Sequence, residues 1–506
     1  MAGRKEVFLQ LFSRLFTFVL NQALVRLATP QTFGTATVQF ELLLSTTLFL
    51  SREGVRTALL RQQKSVAPDL VRNISLLPAY VGVPIAFALA VLYSATSVPA
   101  VRAQPYFHLS VSVYALAAAI ELAAEPLYIR AQNELRVDVR VRAEGAAVFS
   151  KTLVTFVGLA FMSHEWALMA FAAGQAAYAL ATFTIFWKYD GRLTRYILRR
   201  VILDEHGHKR NAYFDTELLH LSRAMTAQSV VKHFLTEGDK FLISRLSPLA
   251  DQGGYAVASN YGSLIARIVF QPIEESSRIF FSKSLTARSS SKENDKDALD
   301  TAAHLLSTVL LLFTHFLLLL VTFGPPYLSL ATSLVLPPRY LQTSAPNILR
   351  AYRFYLPAMA YNGILEAFFA SSRMMAGASV SLVVTAIAGS RFLEMGDTAL
   401  VWANTVSMAV RALYAWGFVR RYCASRGRPA LIGWNALLPP FKVVLVFAAA
   451  AVCTRWSAAA NSNVRLSVTS QKGHIAMGGV CLVACLIACY AFERHRFGMV
   501  AVLRRR

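Results

Sequence analysis

Ionisable and amide side chains recur at helical spacing inside stretches that are otherwise apolar. Lys232–Phe241 reads K-H-F-L-T-E-G-D-K-F, which sets His233, Glu237 and Lys240 on one stripe of a helix, with Gly238 beside it as a point of bending. Ala266–Arg278 reads A-R-I-V-F-Q-P-I-E-E-S-S-R. It places Arg267, Gln271, Glu274 and Arg278 on one face, and Pro272 removes a backbone hydrogen bond in its middle. Arg14 and Asn21 share a face, as do Glu121 and Glu125, and Asn362 and Glu366. Arg52 ends one apolar run, and Asn404 and Arg411 stand in another. A charge at the centre of a bilayer costs about 2.5–3.5 kcal/mol, so such residues face a protein interior or a wet cavity. Arg14, Arg267 and Arg411 have no partner evident in the sequence. A guanidinium in a cleft is a planar, permanently charged fork suited to phosphate. Most of the acids have a base within one turn, which fits proton or sodium coupling poorly. The same clusters would serve equally as salt bridges that fix helix packing.

The apolar stretches that must position these residues dominate the chain. In 506 residues, 55% are hydrophobic and only 16% charged. Lys plus Arg number 51 against 28 Asp plus Glu, a net charge of +23. Soluble domains carry about 25% charged residues. The basic residues fall in short clusters between apolar runs, the pattern of a polytopic membrane protein rather than of a nucleic-acid binder. Runs of about 20 apolar residues mark spans. They are predicted at 7–29, 33–50, 75–97, 107–129, 143–162, 165–187, 219–247, 252–282, 302–324, 348–372, 374–390, 398–419, 437–454 and 474–492. With that count, 32 Lys and Arg fall on one side and 6 on the other, which sets both termini in the cytosol. The sequon Asn73-Ile74-Ser75 then lies on the cytosolic side, where it stays unglycosylated. The expected plan is all-α: a six-helix lobe (1–187), a basic cytosolic linker (188–217), a second six-helix lobe (218–422), then two further helices and a basic tail (423–506). Two six-helix lobes enter the membrane in the same orientation and form a parallel pseudo-repeat. Pro30 and Gly34 in the first, and Pro248 and Gly254 in the second, open helices that end in acidic residues.

Other chemistries find no support. No Walker A sequence is present, so no ATP site is expected. No lumenal acidic pair of the kind a metal-dependent glycosyltransferase uses appears; Asp295 and Asp297 belong to a short charged loop on the cytosolic side. No cofactor and no metal are expected. Cys423, Cys453, Cys481, Cys485 and Cys489 read as apolar packing residues, three of them on one helix face.

The same residues carry a resemblance. L-T-E-G-D-K-F-L-I-S-R-L, D-Q-G-G-Y and N-Y-G-S-L-I-A-R-I-V-F-Q-P-I-E-E-S, within Leu235–Ser276, resemble the signature of Rft1-type oligosaccharide-lipid translocation proteins. That family lies in the multidrug/oligosaccharidyl-lipid/polysaccharide exporter superfamily. L-F-S-R-L-F-T-F-V-L-N (Leu11–Asn21), S-T-T-L-F-L-S-R-E-G (Ser45–Gly54), A-A-I-E-L-A-A-E-P (Ala118–Pro126), L-R-A-Y-R-F-Y (Leu349–Tyr355), N-G-I-L-E (Asn362–Glu366) and W-A-N-T-V-S-M-A-V-R (Trp402–Arg411) are similar to further helices of it. Against the family pattern, 373–397 looks shortened. The resemblance implies a non-enzymatic protein of the endoplasmic reticulum membrane. Its implied cargo is the dolichyl-diphosphate heptasaccharide of protein N-glycosylation, moved from the cytosolic to the lumenal leaflet by alternating access of a cationic cleft. Membrane lipids and N-glycosylation enzymes are the implied partners. On this reading Arg14, Arg52, Arg267 and Arg411 meet the phosphates, and Asn21, Gln271, Asn362 and Asn404 meet sugar hydroxyls. The pairs Glu237/Lys240 and Glu274/Arg278 act as latches between lobe positions. Alternatives are an accessory protein that binds the lipid without flipping it, and an ion-coupled exporter of the same superfamily.

Overall fold

The computed structural model describes residues 20–61, 67–192, 196–205, 208–286, 292–371, 398–426, 433, 438–461 and 470–503. Arg14, most of the first expected span and the expected span 374–390 lie outside the described residues. The chain forms a multi-spanning helical fold. Eight helices among the described residues are long and apolar enough to cross a bilayer. Large apolar side chains such as Val91, Phe161, Val452 and Ile487 point outward, which lipid tolerates and water would not. The helices richest in ionisable residues, Thr216–Leu246 among them, fall outside those eight.

Two compact units make up the chain, Met1–Ala256 and Val257–Arg506. The first holds α1 (Pro30–Leu60), α2 (Pro68–Thr96), α3 (Phe107–Asn133), α4 (Val137–Phe161), α5 (His164–Asp190) and α6 (Thr216–Leu246). Thr29 caps α1, and Pro30 takes its first turn, where a missing N–H costs nothing. α1 is regular only in parts, with π-helical segments at Thr35–Phe40 and Phe49–Glu53. Single π turns inside α-helices are frequent at functional sites. The second unit repeats the device: a π-helical segment, Ala266–Phe270, separates α7 (Leu249–Gly262) from α8 (Gln271–Thr286). Asp215 caps α6 by accepting from the Leu218 amide at 2.7 Å.

Close backbone contacts set how the first unit packs. A side chain on Gly34 would meet the Gly253 nitrogen at 2.6 Å, and one on Gly253 would run into the Pro30 carbonyl. Gly54 meets Thr226 of α6 in the same way. An apolar cluster of Val55, Leu59, Ile74, Ile129 and Leu218 then joins α1, α2, α3 and α6. In the second unit, α9 (Lys292–Val335) runs well past the expected span at 302–324 and through Pro325 and Pro326. Asp295 and Asp297 are part of that helix and not of a loop. α10 (Ala345–Ser371), α11 (Thr398–Ser425), α12 (Phe441–Ala460) and α13 (Lys472–Leu503) complete it. Val443, Phe447, Ala450, Cys481 and Cys485 form the apolar seam of α12 and α13, as the packing reading of the cysteines expects. His315 of α9 and Glu493 of α13 are both buried and in contact, which ties the last helix down.

The basic linker after α5 holds an antiparallel hairpin, Val201–Glu205 with His208–Ala212, that its sequence did not announce. It is strapped to α2, where Arg72 and Tyr80 donate to the carbonyls of Ile197 and Tyr196 and Asn73 makes three further bonds. The Asn73 amide donates to the carbonyls of Arg199 (2.6 Å) and Tyr213 (2.7 Å), and its oxygen accepts from the Arg199 amide (3.0 Å). Asn73 is fully buried, so the sequon's acceptor nitrogen is occupied whatever side of the membrane it faces. Tyr196 reinforces the strap through a hydrogen bond to the Ala123 carbonyl at 2.7 Å, and partial burial pushes its phenol up to about 12.

Two outcomes are expected. Gly253→Val costs at least about 1–3 kcal/mol through backbone displacement, read as a lower unfolding temperature of the purified protein. Asn73 carries no glycan, so enzymatic deglycosylation leaves the mobility of the protein unchanged; Asn73→Ala, which leaves three backbone groups without their partner, increases proteolysis within 196–215.

Candidate functional site

Each unit contains a cavity lined by charged and amide side chains. In the first, α1 supplies Glu41, Ser45, Arg52 and Glu53, α3 supplies Glu121, α4 supplies Lys151, and α5 supplies Gln175 and Tyr178. They surround a volume of about 320 Å³. The spacing that set Glu121 and Glu125 on one face of α3 aims both at the π-helical turn of α1. There Arg52 lies 3.6 Å from Glu121 and 3.8 Å from Glu125. Arg56 is held differently. It makes a bidentate pair with Glu125 (2.6 and 2.5 Å) and stacks over Tyr128 at 4.0 Å. Lys151 binds Glu41 at 2.5 Å. The Gln175 amide donates to Glu121 at 2.9 Å.

This geometry separates the arginines by commitment. Arg56 has spent its fork on a buried carboxylate. Arg52 lines the cavity and makes only two long ion contacts and no hydrogen bond among the described residues, so its donors are uncommitted there. A guanidinium in that state can receive a phosphate oxygen pair without first leaving a hydrogen-bonded partner. The balance of the wall is not one-sided, however. Glu41, Glu53 and Glu121 stand beside Arg52 and Lys151.

In the second unit, Gln271 and Glu274 of α8, Asn362 and Glu366 of α10, and Arg411 of α11 line a cavity of about 240 Å³. Three expected site residues, Gln271, Asn362 and Arg411, therefore meet in one place. Arg411 is not the lone cation that its sequence surroundings implied: it donates to Glu366 at 2.6 Å. The partner lies 45 residues away, beyond the reach of local spacing. Asn362 donates to the same Glu366 oxygen at 3.1 Å. Gly363 leaves room for the Glu274 carboxylate, whose oxygen lies 2.6 Å from where a Cβ would stand.

The remaining expected residues sit elsewhere. Arg267 is exposed and bonds to Asn260, through its carbonyl (2.8 Å) and its side chain (2.6 Å). Asn21 and Asn404 are exposed. Glu237 and Lys240 pair at 2.7 Å and Glu274 and Arg278 at 2.6 Å, each within a single helix. Sequence reading missed Gln175, Lys151 and Arg56 as parts of the first site. Only their polarity inside apolar runs could have pointed to them. Among the described residues, no group of three or more His, Cys, Asp or Glu side chains is arranged to hold a metal ion.

The two arginines of the first cavity should separate in experiment. Arg56→Met strands the buried Glu125 and costs about 3–5 kcal/mol of stability. Arg52→Gln loses only long ion contacts and costs about 1 kcal/mol or less. Thermal unfolding of the two purified variants checks the contrast, and equal losses would dissolve the distinction.

Comparison with known proteins bears on what such cavities serve. The chain is 30% identical to the "Man(5)GlcNAc(2)-PP-dolichol translocation protein RFT1" of Xenopus tropicalis, over 97% of this chain and 94% of that protein. It is 32% identical to the protein of the same name from Eremothecium gossypii, over 82% of this chain and 81% of that one. Among solved structures, the lipid II flippase MurJ in its inward closed conformation aligns over 96% of this chain and 99% of its own, with a TM-score of 0.61 and 11% identity. That last likeness is one of fold. The family model described as "Rft protein" matches residues 4–502, and the chain belongs to that family.

Proposed function

We propose that this chain is a transporter and not an enzyme. It moves a diphosphate-linked oligosaccharide lipid of the Man(5)GlcNAc(2)-PP-dolichol type from the cytosolic to the lumenal leaflet of the endoplasmic reticulum membrane, for protein N-glycosylation. The observation that carries this reading is the family match along almost the whole chain, from residue 4 to residue 502. The cavities supply its chemistry. A sugar head and two phosphates cannot cross hydrocarbon unaided, because every lost hydrogen bond to water must be replaced. Polar cavities at membrane depth replace them. Arg52, the least committed guanidinium of its cavity, is the first contact for the diphosphate. Arg411 joins it as Glu366 gives way, and Gln271 and Asn362 meet sugar hydroxyls. Arg267, Asn21 and Asn404 extend the path outside these cavities, and Arg14 is a further phosphate contact.

The finer plan belongs to the same proposal. It has fourteen spans, six-helix lobes at 1–187 and 218–422 joined by the linker 188–217, a helix pair and tail at 423–506, and both termini in the cytosol. The lobes work by alternating access. The pairs Glu237/Lys240 and Glu274/Arg278 open and close as latches during that cycle. The prenyl chain stays in lipid throughout, so only the head group needs a path.

Reconstitution into liposomes tests the proposal. Transbilayer movement of a labelled dolichyl-diphosphate heptasaccharide should depend on the protein. It should fall at least 10-fold in Arg52→Gln and be lost in Arg267→Ala, with both variants folded and inserted. Absence of movement from folded wild-type protein would overturn transport and leave a role in binding or presenting the lipid. Wild-type movement by a well-inserted Arg267→Ala would remove that residue from the path.

A further inference from the structure

The two cavities contain the same three-part arrangement, built from unrelated stretches of sequence. In the first unit, the Gln175 amide N–H donates to Glu121 at 2.9 Å, and Arg52 faces that carboxylate at 3.6 Å. In the second, the Asn362 amide N–H donates to Glu366 at 3.1 Å, and Arg411 binds that carboxylate at 2.6 Å. Gln175 and Asn362 are both more than nine-tenths buried. Both line their cavity. In both, the amide oxygen has no hydrogen-bond partner among the described residues.

Against an ionised glutamate that oxygen does not exchange places with the amide nitrogen. Turning the amide over would set a carbonyl dipole against the carboxylate, and the donated hydrogen bond would be lost. The glutamate therefore fixes the amide nitrogen and leaves the buried amide oxygen, in a residue that lines the cavity, as the acceptor without a donor. A buried acceptor without a donor costs about 1–3 kcal/mol. A ligand repays that cost only if it carries donors. Phosphate diesters at neutral pH carry none, whereas sugar hydroxyls donate and accept.

We infer that the triads Gln175–Glu121–Arg52 and Asn362–Glu366–Arg411 are a duplicated subsite for the hydroxyl-rich sugar head, in which the guanidinium takes a phosphate or ring oxygen and the amide carbonyl takes a sugar hydroxyl proton. The role of Gln175 is new to this assignment, as is the division of labour between arginine and amide. At about 320 and 240 Å³ the cavities lie at and below the low end of small-ligand pockets, about 300–1,000 Å³, and each takes a sugar ring or two rather than a whole oligosaccharide. The inference rests on the proposed cargo, and its test is built to fail separately from that proposal.

The test compares two fluorescent lipids, a dolichyl-diphosphate heptasaccharide and a dolichyl diphosphate without sugar, binding to the purified full-length protein in nanodiscs. Gln175→Met keeps the side-chain volume and removes the amide. It should weaken the sugar-bearing lipid about 10-fold, the equivalent of one buried hydrogen bond, and leave the sugar-free lipid unchanged. Asn362→Leu should do the same in the other unit. Arg52→Gln should weaken both lipids. Unaltered affinity of Gln175→Met and Asn362→Leu for the sugar-bearing lipid overturns the inference. So does equal loss of both lipids in both variants, which assigns the amides to the scaffold. Wild-type protein that binds neither lipid overturns the cargo proposal itself.

Discussion

A charged side chain inside a bilayer must find its counter-charge within the protein, because no water is there to replace it. Much of the polar architecture of this molecule follows from that constraint. Arg56 is clamped by Glu125, Lys151 by Glu41, Arg411 by Glu366, and His315 by Glu493. Each pair joins two helices. The pairs therefore decide which helix faces are interior, and the exposed apolar residues are left to lipid.

Within that rule, Arg52 is a guanidinium whose pairing is incomplete. Two carboxylates stand near enough to keep its charge affordable and too far away to use its donors. The π-helical turn at Phe49–Glu53 is the local irregularity that carries it, and a second one at Ala266–Phe270 borders the second cavity. A regular helix would advance the side chains past these positions at a fixed angle. The wider turn shifts the phase and costs one regular hydrogen bond. The glycines Gly34, Gly54 and Gly253 play a complementary part, letting backbones approach closely in the first unit.

A cavity that sets acids beside its bases has a consequence for cargo. A purely cationic wall would hold a diphosphate tightly and release it slowly. On the proposed function, carboxylates next to the guanidiniums compete with the phosphates of the cargo, so binding is an exchange of partners rather than the filling of an empty charge. Transport of a lipid between leaflets needs this kind of moderate affinity, since cargo that binds too strongly does not leave.

The sequence alone determined the membrane character, the all-helical fold class and the family, because these depend on apolar length, basic loops and a local motif around Gln271–Ser276. It also singled out Arg52, Gln271, Asn362 and Arg411, since a polar residue in a long apolar run is conspicuous whatever it touches. It did not determine pairing. Arg411 read as a lone cation because Glu366 is on another helix, and Gln175 drew no notice because its role exists only where α5 meets α3. The strap from Asn73 to the linker was equally invisible, because a sequon gives no sign of burial. Those features belong to the tertiary structure for one reason. Helical periodicity fixes which face of its own helix a side chain occupies, whereas the identity of its partner depends on which other helix packs there.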